Sequence, residues 1–364
     1  MRERLSQVVA AAEARGLDAI ALVPGPNMAY LTGLSFFLSE RPIVALLAVG
    51  EPPCIVLPEL EAGKARELGF RAFTYTDEEG YAMAFHEASA AVELAGARLG
   101  VEALRMRVLE ERTLTRYAPQ VEMVPVDDVI SELRMIKDER ELGAMRRATR
   151  VAEEAFLSWI PTLRAGMSER EAASRLIASL LNNGADGLAF DPIIATGVRS
   201  ALPHAVPGDD RLQPGDWVVV DWGARVDGYV SDLTRVLVVG HPSGPLCDIH
   251  PVVVDANAAG RAAVVPGAVA QDVDAAARRV VDAAGYGPRF FHRTGHGLGL
   301  EEHEPPYIVA GNTLTLKPGM AFTVEPGIYL EGIGGVRIED DVAVTDDGMI
   351  TLSTLPRTPF SVAV

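Results

Sequence analysis

Cysteine is scarce in this chain. Only Cys54 and Cys247 occur in 364 residues, and there is no Cys-x-x-Cys. The shortage excludes a disulfide framework and a thiolate zinc site, leaves both residues as small hydrophobes or surface groups, and points to a reducing compartment. Basic residues are also few: the net charge is -17 and no Lys/Arg run exists. The chain therefore lacks the cationic face that a nucleic-acid binder needs to displace counterions. No apolar stretch approaches the roughly 20 residues of a membrane span, so no membrane partner is expected. The charged opening Met1-Arg-Glu-Arg-Leu5 leads into an amphipathic helix rather than a signal peptide, which makes the cytoplasm the expected address. A phosphate loop is missing as well. Gly295-x-Gly297-x-Gly299 has the wrong spacing, holds a histidine, and has no Gly-Lys-Ser/Thr to complete it.

What is present is a globular composition, 48% hydrophobic and 23% charged, in a chain long enough for two cores. Residues 1–126 read as a small α/β domain. Leu5, Val8, Val9 and Ala12 recur at helical spacing and Gly16 closes that helix. Asp18 to Val23, Ile43 to Val49 and Cys54 to Leu57 are buried-strand candidates, the last two separated by turn residues at Gly50 to Pro53. A charged helical stretch from about Asp127 to Trp159 then opens the second domain, residues 127–364.

That second domain carries an internal duplication. Leu212-Gln-Pro-Gly-Asp-Trp-Val-Val-Val-Asp221-Trp-Gly223 aligns without gaps on Leu316-Lys-Pro-Gly-Met-Ala-Phe-Thr-Val-Glu325-Pro-Gly327. Upstream, Arg164-Ala-Gly-Met-Ser and Val265-Pro-Gly-Ala-Val form a matching pair of loop-to-helix starts. The unit is too long for a solenoid repeat, so a pseudo-twofold α+β domain is expected, each half giving a helix pair and a strand pair. In each half the apolar strand ends on an acid, and burying a carboxylate costs several kcal/mol unless something compensates it. Turns at Asp227-Gly228 and at Gly332 to Gly335 bring a second acid back, pairing Asp221 with Asp232 and Glu325 with Glu339. Converging carboxylates raise one another's pKa unless cations lie between them. Two divalent ions meet that need, and the glycine-flanked His296 suits a further ligand. Oxygen donors with one imidazole favour Mn, Co, Zn or Fe, and a paired site can activate a shared water.

The ordered set Asp221, Asp232, His296, Glu325 and Glu339, within Asp-x-Gly, Ser-Asp-Leu-Thr-Arg, Gly-His-Gly-Leu-Gly, Glu-Pro-Gly and Arg-Ile-Glu-Asp, resembles the pita-bread metallopeptidases. Asn27-Met-Ala-Tyr-Leu-Thr-Gly and Leu133-Arg-Met-Ile-Lys-Asp-Glu-Arg-Glu are similar to the creatinase/prolidase branch, so the likeness covers nearly the whole chain. It implies a creatinase-like N-terminal domain, a pita-bread catalytic domain and a homodimer. It also implies that those five residues ligate the metals and that Glu325 shuttles the proton. His204, in Leu-Pro-His, and His303, in His-Glu-Pro-Pro, match the family's catalytic histidines. His292 matches the histidine four residues before the metal ligand, and Arg337 shares a strand face with Glu339 and so reaches the site; both are expected to bind substrate.

The substrate implied is a short proline-containing peptide. An Xaa-Pro dipeptide is the first reading. The alternatives are an aminopeptidase P cleaving before proline in longer peptides, or a metal-free creatinase-like or non-catalytic relative, which the intact ligand set disfavours. A dipeptidase must pair its substrate's carboxylate with a cation, usually Arg. His303 to Glu325 offers no Arg, and Arg199, in Thr196-Gly-Val-Arg199-Ser, is the expected substitute.

Overall fold

The computed structural model describes residues 2–364. The chain divides into two compact units, one ending at Arg134 and the other spanning Met135–Val364.

The first unit is a six-stranded sheet ordered Arg71–Tyr75, Cys54–Pro58, Val44–Ala48, Ala19–Leu22, Arg98–Val101 and Glu122–Pro125. Its central strands are buried throughout, which is why they read as continuous apolar runs rather than alternating ones. Helices pack Phe85, Ala88 and Leu114 against that sheet. Gly16, at φ 69°, follows the helix Arg2–Ala14 in the left-handed conformation suited to a helix end. The Asn27 motif is structural here. Asn27 donates to Glu102 at 2.9 Å and accepts from Arg134 at 2.7 Å, and Gly33 caps the helix Pro26–Thr32. Cys54 is buried in its strand, and burial pushes its thiol up to about 12, so it is unreactive.

The helix expected from Asp127 to Trp159 is two helices, Asp127–Met135 and Glu139–Trp159. Asp138 breaks it. Its carboxylate accepts from the Glu141 amide while the Glu141 carboxylate accepts from the Asp138 amide, both at 2.8 Å, which is a capping box. Ile136 leaves the helix to bridge Met320.

In the second unit the duplication is visible bond by bond. Helices Glu139–Trp159 and Glu169–Asn182 precede strands Trp217–Trp222 and Leu233–Val239; helices Leu246–Ala262 and Ala270–Ala283 precede Ala321–Val324 and Asp340–Val344. Gly166 N–H donates to Leu212 O as Gly267 N–H does to Leu316 O, and Ser168 bridges Arg211 as Val269 bridges Thr315. Val218, Val220 and Trp222 face one apolar core, where Trp222 stacks on Phe156; Phe322 and Val324 face its counterpart. Period two then turns Asp221 and Glu325 away from those cores, to the opposite face of each sheet. An isolated bridge between Thr234 and Glu339 joins the halves.

Candidate metal centre

The Asp227-Gly228 turn has both residues at positive φ, 52° and 82°, as a two-residue hairpin requires. The Leu233–Val239 strand that follows sets Thr234 directly across from Asp221. In the second half Val324 lies across from Asp340, which leaves Glu325 and Glu339 adjacent at the strand ends. The third element is the short strand Gly295–Gly297. A Cβ at Gly295 would run into the Thr323 carbonyl oxygen and one at Gly297 into the Pro305 carbonyl. Only glycines on both sides let His296 pass between those backbones.

These elements bring Asp221, Asp232, His296, Glu325, Glu339, His204, His292, His303 and Arg337 around one cavity of about 360 Å³. His296 Nε2 is 3.3 Å from Glu325 and 3.7 Å from Asp232. The ligating atoms of Asp232, His296 and Glu339 all fall within 4.8 Å of one another. Thr323 donates to Glu325 at 3.1 Å, and Thr234 to Glu339 at 2.6 Å. His296 Nδ1 contacts the Gly297 carbonyl at 3.2 Å, which only accepts, so Nδ1 carries the proton and Nε2 faces the carboxylates.

The electrostatics of this cluster oppose its ionisation without a cation. Burial, then the neighbouring Glu339 and Asp221, push Asp232 well above the usual carboxylate range; burial, then Glu325 and Asp221, do the same to Glu339. Burial also raises Asp221. Glu325 alone stays low, at about 2, because the hydrogen bond and charge of His296 outweigh the burial that would raise it. Asp221 Oδ1 and Glu339 Oε1 are buried with no hydrogen-bond partner among the described residues. Orphaned buried carboxylate oxygens beside an imidazole nitrogen are the donor set of a divalent ion, so the residues fit a metal.

The flanking residues fall into two groups. Arg337 is occupied: it donates to Asp221 at 2.6 Å, Thr234 at 3.1 Å, Tyr329 at 2.9 Å and the Pro203 carbonyl at 3.2 Å. It is a counter-charge of the cluster and also lines the cavity. His292 is occupied too, through the Arg293 carbonyl at 2.8 Å and Tyr329 Oη at 3.0 Å. With Nδ1 donating to the carbonyl, Nε2 accepts from Tyr329, whose oxygen in turn accepts from Arg337. His204 and His303, by contrast, are solvent-accessible at the cavity. His303 stands with its ring perpendicular to His296, centroids 4.1 Å apart. Partial burial, then His296 and Arg293, lower its pKa to about 4.

Arg199 is not brought to the cavity. Its Nε lies 3.1 Å from both Glu169 oxygens and 3.3 Å from Asp210, and its Nη2 donates to Val206 O at 2.7 Å. Glu169 is fully buried at a helix start and claims the guanidinium, so Arg199 ties down the loop behind His204. Arg199→Ala is accordingly expected to leave the dipeptide KM within about twofold. It should cost only about 1 kcal/mol in denaturant unfolding, because the pair is partly solvent-screened and Glu169 keeps the Thr196 and Gly208 amides.

Several residues were missed in the sequence. Phe190, Ile193 and Pro203 supply apolar lining, and Arg293 and Glu302 supply charge. Arg293 sits inside the His292-to-His296 motif, and Tyr329 lies two residues beyond Gly327 at strand period. Both signals were present, but neither reveals a partner.

Known proteins resemble this chain over nearly its whole length. Residues 143–346 match the model of metallopeptidase family M24, and residues 4–136 match the creatinase/prolidase N-terminal domain. The chain is 36% identical to a Xaa-Pro dipeptidase of Pyrococcus horikoshii, over 98% of each chain. It is 37% identical to the probable dipeptidase PepE of Mycobacterium tuberculosis, over 97% of this chain and 94% of that one. Among solved structures it resembles a prolidase from Thermococcus sibiricus, with TM-score 0.95 and 36% identity over 99% and 98% of the two chains. It also resembles an X-Pro aminopeptidase from Thermotoga maritima, with TM-score 0.85 and 31% identity over 97% and 100%. With both domain matches in chain order and near-complete coverage, the chain belongs to metallopeptidase family M24, in the branch that carries a creatinase/prolidase N-terminal domain.

Proposed function

We propose that this metallopeptidase hydrolyses the Xaa-Pro bond of dipeptides, with two divalent ions (Mn, Co or Zn) held by Asp221, Asp232, His296, Glu325 and Glu339. The observation that carries the reading is the convergence of desolvated, orphaned carboxylate oxygens and His296 Nε2 in a cavity of small-molecule size. Ions bound there supply Lewis acidity and make water a nucleophile at neutral pH.

The protein's own groups do the rest. Glu325, oriented by Thr323, takes the proton of the attacking water and delivers it to the prolyl nitrogen as the C–N bond breaks. His204 and His303, accessible at the cavity, are placed to donate to the oxyanion that develops on the scissile carbonyl. Arg337, braced by Tyr329 and His292, fixes Asp221. Phe190, Ile193 and Pro203 offer an apolar wall for the prolyl ring.

The likeness to an X-Pro aminopeptidase keeps release of a residue from longer peptides as the second reading. Turnover of Ala-Pro against Ala-Pro-Ala by the Mn-loaded enzyme separates them. We expect kcat/KM to favour the dipeptide at least about tenfold, since an unfilled charge-pairing site costs that much; a preference for the tripeptide would overturn the assignment. No described helix is long and apolar enough to cross a membrane. We further propose a cytoplasmic homodimer, supported by near-full-length similarity to the prolidase relatives, and checked by sedimentation.

A further inference from the structure

Two guanidinium groups line the cavity, and they differ in how they are held. Arg337 has a buried carboxylate and three other acceptors. Arg293 has none of these. Among the described residues no carboxylate forms an ion pair with it, including Glu302, the other charged residue newly found at the cavity wall. Its side chain is held by a ring instead: the guanidinium carbon lies 4.7 Å from the centroid of Tyr307.

Cation–π attraction of this kind holds a guanidinium in place without using up its N–H donors. The stack is anchored to the candidate metal centre through the backbone. Tyr307 sits directly across the strand pair from His296, and the Thr294 amide donates to the Ile308 carbonyl at 2.9 Å. The Arg293 carbonyl is held by His292. A half-buried arginine on the cavity wall, without an ion-pair partner among the described residues and held against a ring, suits a planar anion.

We propose that Arg293, oriented by Tyr307, is the specificity-determining residue that pairs with the free C-terminal carboxylate of the dipeptide. The inference rests on the dipeptidase reading above. In a dipeptide that carboxylate lies a single residue beyond the scissile bond. In a longer peptide or a C-terminal amide the same position is uncharged, so the arginine rewards only the dipeptide.

The test compares Ala-Pro with Ala-Pro-amide on the Mn-loaded wild type, Arg293→Leu and Arg293→Lys. Loss of a charge-assisted bidentate contact should raise the KM of Arg293→Leu for Ala-Pro by roughly ten- to a hundredfold. Its kcat should change little, and turnover of the amide should not change, so the preference for the free acid collapses. Arg293→Lys, which keeps the charge without the fork, should fall between. An unchanged KM for Ala-Pro, or an equal loss on acid and amide, would overturn the assignment of Arg293; the equal loss would mark a merely structural role. A wild type that cleaves Ala-Pro-Ala but not Ala-Pro overturns the underlying reading together with this one, and does so before any variant is made.

Discussion

Asp232→Asn is expected to abolish turnover, by at least about a thousandfold, while making the metal-free protein more stable than wild type. The two effects share one cause. Asp232 is buried among Glu339, Asp221, Asp341 and Glu325, and both desolvation and their charges push its pKa well up. A carboxylate whose folded pKa is raised stabilises the fold while protonated and loses that contribution as pH rises through the folded value. At neutral pH the metal-free site therefore works against folding, and removing one charge relieves it. A relief of about 2 kcal/mol corresponds to a rise of roughly 5 °C in Tm for a domain of this size. With Mn added the order should reverse, because wild type gains the linkage stabilisation of a bound ion and the variant does not. Thermal melts of both proteins with EDTA and with Mn, at pH 5 and pH 8, check this. If Asp232→Asn melts below wild type in EDTA at pH 8, the account of a self-repelling carboxylate cluster is wrong.

The second large effect lies behind the site. Glu339 lines the cavity and Thr234 bonds it, while the next residues along each strand, Arg235 and Asp340, turn the other way, where both are fully buried and paired at 2.8 Å. Asp340 also takes Arg357 at 2.7 Å, Arg261 at 3.5 Å and the Ser353 hydroxyl at 2.7 Å. Arg235 in turn donates to the backbone carbonyls of Thr234 and Glu339, at 2.9 and 2.5 Å. This is the seam where the two halves of the duplication meet, and the ion pair sets the spacing of the strands that carry Asp232 and Glu339.

Asp340→Ala would leave Arg235 buried without its counter-charge. That costs about 3–5 kcal/mol, or roughly 10 °C in Tm, and a weakened affinity for Mn should accompany it. Although burial opposes ionisation, Arg235 and Arg357 hold the Asp340 pKa below the usual range. Its contribution is therefore present above the unfolded carboxylate pKa and lost as pH falls through the folded value, opposite in sign to that of Asp232. Urea denaturation near neutral pH should show the full deficit, shrinking toward acid. An unfolding free energy within 1 kcal/mol of wild type would remove the seam from the account.

Much of this centre is legible in one dimension because its information is local. A Pro-Gly turn, an apolar run and a terminal acid form a strand whose period decides which side the acid faces, and the repetition of that unit implies a twofold. Asp-Gly at a hairpin and glycines on both sides of His296 are backbone requirements written in single residues. The capping box at Asp138 was equally local, yet the helical periodicity on both sides of it masked the break.

What stayed hidden were partners. Arg199 lies five residues from His204 in the chain, but a buried glutamate from a distant helix, Glu169, takes its charge away from the cavity. Arg293 stands beside that histidine motif without an anion among the described residues, held against a tyrosine across a strand pair. Tyr329 closes a hydrogen-bonded chain from Arg337 to His292 that no spacing announces. The sequence by itself therefore determined the strand ends, the turns and the ordered donor set, since these follow from backbone periodicity and sterics within a few residues. Only the tertiary structure decided which charges are spent on one another and which remain for a substrate, because that depends on the distances between side chains far apart in the chain.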